Sequence, residues 1–69
     1  MTPLHRRIAL LVSRGHTIPA ITDVLKKRHP DLTHLQVKRR IDELGWMLHD
    51  FHPKLPLRAR ITLYVKEGK

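Results

Sequence analysis

Cysteine is absent from these 69 residues. That excludes a disulfide framework, a thiolate metal site and a cysteine nucleophile. Serine occurs once, at Ser13, and the three glycines, Gly15, Gly45 and Gly68, lie far apart, so no loop can cradle a phosphate. Trp46, Phe51 and Tyr64 are the only aromatic residues, too few for the successive stacking platforms that hold single strands. No apolar run approaches the length of a bilayer span, and the short stretch from Ile8 to Val12 has arginines on both sides, unlike a secretory leader. Acidic residues number six and are scattered over caps and helix surfaces. With one serine, no cysteine nucleophile and few carboxylates, the chain is not expected to be an enzyme.

What is abundant is positive charge. Fourteen Lys and Arg against six Asp and Glu leave a net charge of +8. Such an excess points to a polyanionic partner, nucleic acid first and an anionic membrane surface next. The 41% hydrophobic content is too high for a disordered basic tail. The length allows one domain, 1–69, with a modest core and marginal stability. Nothing indicates a cofactor or a small-molecule ligand. Of the six histidines, His49 and His52 are close in sequence, but no second cluster completes a three- or four-ligand metal site.

Capping signals divide the chain. Thr2 and Pro3 open a first helix over about 3–14, whose apolar face is Leu4, Ile8, Leu11 and Val12 and whose end is Gly15. Leu10 falls on the opposite face, either as a dimer contact or covered by the C-terminal segment. Thr17 and Pro19 open a second helix over 18–28, with Ile18, Ile21, Val24 and Leu25 as its stripe and Lys26, Lys27 and Arg28 at its positive-charge-favouring end. Thr33 and Gln36 form a capping box, and Leu32 with Val37 a hydrophobic staple, at the start of a third helix over 33–44. Val37, Ile41 and Leu44 make its buried face. Gly45 is expected to close it, with Trp46 folding back on Ile41. After Gly45 the apolar period changes to about two. Residues 46–51 read as a short strand, Pro53 and Pro56 as a loop, and 57–66 as a strand with Ala59, Ile61, Leu63 and Val65 inside and Arg58, Arg60, Thr62, Tyr64 and Lys66 outside.

Three helices followed by a hairpin over 46–66 resemble the winged helix-turn-helix family. The stretch that carries the resemblance is Leu32-Thr33-His34-Leu35-Gln36-Val37-Lys38-Arg39-Arg40-Ile41-Asp42-Glu43-Leu44-Gly45-Trp46. It is similar to that family's recognition helix: a hydroxyl residue at the start, aliphatic and basic residues in alternation, then Leu-Gly into the wing. The turn His29-Pro30-Asp31-Leu32 lacks the glycine of the tightest helix-turn-helix units. The resemblance implies a mainly α fold with a small β-hairpin, and binding of double-stranded DNA by a small transcriptional regulator of phage, plasmid or bacterial type. It further implies a soluble, cytoplasmic, nucleoid-associated protein, with a homodimer on a two-fold operator adding specificity.

The residues follow from that reading. Thr33, His34, Leu35, Gln36, Lys38, Arg39 and Arg40 are the candidates on the recognition helix. Arg39 suits guanine, Leu35 a thymine methyl, and Gln36 either adenine or its own capping box. Lys54, Arg58 and Arg60 on the wing either hold phosphates or guard a strand edge. Thr17 either holds a phosphate with the backbone N–H groups beside it or only caps its helix. Competing readings are an architectural or recombination accessory protein that binds DNA without sequence preference, a winged domain that docks on or inhibits a protein, and an RNA-binding protein.

Overall fold

A computed structural model describes residues 1–68 and shows four helices: α1 Pro3–Ser13, α2 Ile18–Leu25, α3 His34–Met47 and α4 Leu57–Lys66. Among the described residues there is no strand, so the expected hairpin over 46–66, and with it the winged architecture, is overturned.

The first three helices begin where local chemistry directs. Thr2, Thr17 and Thr33 are their N-caps, each hydroxyl oxygen accepting a backbone N–H three residues on, from His5, Ala20 and Gln36. At the end of α1, Gly15 takes φ +87°, its N–H donates to the Val12 carbonyl and the His16 N–H donates to the Leu11 carbonyl. That is the double bond of a Schellman motif, and it needs a residue free of a Cβ penalty. Helix α2 stops at Leu25, earlier than 28, and Lys26–Arg28 continue as a turn in which the His29 N–H donates to the Leu25 carbonyl.

The differences begin at Gly45. It does not close the third helix, which continues to Met47 and is capped at Leu48. A Cβ at Gly45 would lie 3.3 Å from Leu57 Cδ2. The missing side chain leaves room for the side chain of Leu57, in the first turn of α4. Trp46 does not fold back on Ile41; it points to solvent, 76% exposed, and stacks on His49 with ring centroids 5.3 Å apart.

The segment expected as the second wing strand is α4. Leu57, Ile61, Tyr64 and Val65 recur at i, i+4, i+7 and i+8, a helical stripe that coexists with the two-residue alternation. Ile61 is fully buried, and the other three pack partly buried against the core. A lone two-stranded hairpin is marginal in water, whereas a helix satisfies its own backbone and lays this stripe on α1. Helix α1 is the hub, packed against α2, α3 and α4. The core joins Ile8, Ala9, Leu11 and Val12 of α1 to Ile21 and Leu25, Val37 and Leu44, Leu48, and Ile61. Leu32 is buried over it, consistent with a staple against Val37. Leu10 has no strand over it and is 37% exposed.

Gly45 separates the two architectures by sign. At a left-handed helix end, alanine destabilises. Inside α3, where the backbone is helical, alanine raises helix propensity by about 0.8–1.0 kcal/mol. The half-buried Leu57 side chain has only to yield a few tenths of an ångström. Gly45→Ala is therefore expected to raise the thermal midpoint by a few degrees. A midpoint that falls would mean that Leu57 cannot yield to the added methyl group, or that Gly45 ends its helix.

Candidate nucleic-acid interface

The outward face of α3 is built by its buried one. Val37 and Leu44 are fully buried and Ile41 partly so. At about 100° per residue, this turns Leu35, Lys38, Arg39, Asp42 and Trp46 to solvent. His34, Leu35, Lys38 and Arg39 are all exposed, Leu35 at 64%. Among the described residues, neither Lys38 nor Arg39 is in a salt bridge. The first two turns of α3 therefore present two free cations, an imidazole and an aliphatic side chain, with the first acid on this face at Asp42.

The remaining α3 candidates are engaged. Gln36 Oε1 accepts the Thr33 N–H at 3.0 Å while Thr33 Oγ1 accepts the Gln36 N–H at 3.2 Å. The capping box is formed, and it takes the Gln36 carbonyl oxygen. Arg40 is half-buried and donates through Nη1 to Glu43 Oε1 at 2.9 Å. Beside these residues the α2–α3 turn adds charge. Arg28, His29, Pro30, Asp31 and Leu32 line a shallow depression of about 370 Å³ that Gln36 closes. Leu4, Leu32, Gln36, Arg39 and Arg40 line a smaller cleft of about 160 Å³ on the α1 side. Arg28 and the exposed Asp31 thus flank the start of α3 on this side, and the unopposed cations are Lys38 and Arg39.

With no wing, Lys54, Arg58 and Arg60 do not form a second basic strand face. Lys54 is exposed in the loop between α3 and α4. Arg58 stands in the first turn of α4 and donates through both terminal nitrogens to the His16 carbonyl, at 3.2 and 3.3 Å. It ties α4 to the α1–α2 connection, next to Thr17, whose Oγ1 accepts the Ala20 N–H at 3.4 Å. Arg60 donates through Nε to the Leu55 carbonyl at 2.8 Å and closes the loop on its own helix. These two arginines hold backbone oxygens in place, a task that the alternating pattern gave no sign of.

His5 has no signature in the sequence, yet it positions α3. The residue is 5% exposed. Its Nδ1 lies 2.7 Å from Thr2 Oγ1, and its Nε2 lies 2.7 Å from Glu43 Oε1. Thr2, His5, Glu43 and Arg40 form one chain of hydrogen bonds from the N-terminus of α1 to the middle of α3. The Arg40 hydrogen bond, then that of His5, holds the Glu43 carboxyl below the ordinary carboxylate range. Because the folded pKa is depressed, the stabilisation is complete above the unfolded value, about 4.3, and is lost as pH falls through the lower folded value. Glu43→Gln is accordingly expected to flatten the acid limb of a plot of thermal midpoint against pH below about 4.3. An unchanged acid limb would show that Glu43 carries none of it.

Among the described residues, no group of three His, Cys, Asp or Glu is placed to hold a metal ion, and no helix is long and apolar enough to cross a membrane. No family model, curated protein or solved structure matches this chain.

Proposed function

We propose that this chain binds double-stranded DNA with sequence preference, entering the major groove with the N-terminal half of α3, and acts as a small transcriptional regulator. One observation carries the reading: Leu35, Lys38 and Arg39 share an exposed face on which, among the described residues, neither cation has a carboxylate partner. Free Lys and Arg suit phosphates and guanine edges, and an exposed aliphatic side chain between them suits a thymine methyl. The net charge of +8 adds long-range attraction to the duplex. Such a role places the protein in the cytoplasm on the nucleoid. Two copies on a two-fold site would supply discrimination that one short helix lacks.

The test is selection of bound duplexes from a random pool at physiological salt, with the winner then titrated against a scrambled duplex. A motif enriched with an affinity gap of about 10³ or more over the scrambled duplex supports the reading. Tight binding with no motif replaces it with an architectural role. Failure to retain any duplex overturns DNA binding.

A further inference from the structure

On the flank of the molecule formed by α1 and α2, a groove of about 510 Å³ is lined by Pro3, Arg6, Arg7, Leu10, Arg14 and Val24, among others, and by no residue of α3. Its floor is apolar and open to water: Leu10 is 37% and Val24 42% exposed. Its rim is cationic. Arg6, Arg7 and Arg14 are exposed, none has a salt-bridge partner among the described residues, and α1 carries no acidic residue.

We propose that this groove docks an acidic amphipathic helical segment of a partner protein. Two features must be matched at once. Phosphates would satisfy the arginines but leave Leu10 and Val24 wet. A second copy of this chain would bring a further +8 and set arginines against arginines. A helix with leucine or aromatic anchors on one stripe and carboxylates on its borders fills both needs. The anchors cover Leu10 and Val24, and the carboxylates take the guanidinium groups in paired hydrogen bonds. Because α3 takes no part in the lining, the partner and the duplex can be held together. A small DNA-bound protein could thus reach a larger acidic one.

The experiment is a phage-display selection of random peptides of about 12 residues, three helical turns, on the immobilised full chain. The Arg7→Glu/Leu10→Ser double variant serves for counter-selection. Both positions are exposed, and far-ultraviolet circular dichroism checks that the variant keeps its helices. The expected result is enrichment of peptides that combine acidic residues with leucine or aromatic residues at three- and four-residue spacing. By fluorescence anisotropy these should bind the double variant at least about tenfold more weakly, the usual loss for a well-placed contact. Trp46, the sole tryptophan, stands on α3, so its emission should shift with duplex and stay unchanged with peptide. No enrichment over the variant, or enriched peptides without acidic residues, overturns the proposal. So does displacement of the peptides by duplex together with loss of duplex binding in the double variant, which would assign the groove to DNA.

Discussion

Arg39→Ala is expected to weaken binding to the preferred duplex by about 5- to 150-fold, or about 1–3 kcal/mol, and to change binding to random duplex far less. Arg39 is exposed on α3 and in no salt bridge among the described residues, so its removal leaves no buried charge behind. The whole loss then belongs to the interface. Lys38 supplies the contrast. A lysine is a point charge suited to phosphate, so Lys38→Ala should weaken all duplexes alike and lower the slope of log affinity against log salt by about 1. Paired titrations of the two variants on preferred and random duplex, at several salt concentrations, check both statements. Equal losses on both duplexes for Arg39→Ala would mean that α3 holds the backbone and reads no base.

Ile61→Ala is expected to lower stability by about 2–5 kcal/mol. A domain of this size has on the order of 3–10 kcal/mol in total, at about 0.05–0.15 kcal/mol per residue. Ile61 is the one fully buried side chain of α4. Without it, α4 is left with the partly buried Leu57, Tyr64 and Val65 as its hold on the core. Its N-cap is Pro56, which offers no side-chain hydrogen bond, so α4 cannot persist by local chemistry once its packing is lost. Helix α1 is packed on the same side and loosens with it. Thermal denaturation followed by circular dichroism should show the midpoint fall by about 8 °C or more, taking about 4–8 °C per kcal/mol. A fall of a few degrees would mean that α4 contributes little to the fold and that the three-helix unit stands alone.

His5 and Arg40 show how far a candidate site depends on groups outside it. By helical spacing Arg40 lies at the edge of the exposed α3 face and is a candidate DNA contact. Folding places Glu43 one turn further on and His5 across from it, and Arg40 becomes part of the chain of hydrogen bonds that sets α3 on α1. Gln36 followed the same course, with its capping role occupying the carbonyl oxygen. Four exposed residues, His34, Leu35, Lys38 and Arg39, remain as the face offered to a duplex.

The starts of α1, α2 and α3, and the glycine that ends α1, were written in the sequence itself. Thr2, Thr17, Thr33 and Gly15 act on backbone groups within a few residues of themselves, and such interactions are the same in a peptide as in a protein. The charge of +8 and the basic α3 face were equally legible, since they need only composition and helical spacing. The course of the chain after Leu44 was decided by tertiary structure. Gly45 carries the mark of a helix end, and residues 57–66 fit both a strand and a helix. Both ambiguities are resolved by one contact: Leu57 seats against the bare backbone of Gly45 while Ile61 enters the core beside α1. Local pattern cannot register neighbours distant along the chain, and here α1 supplies most of the burial that makes the helix the more stable choice.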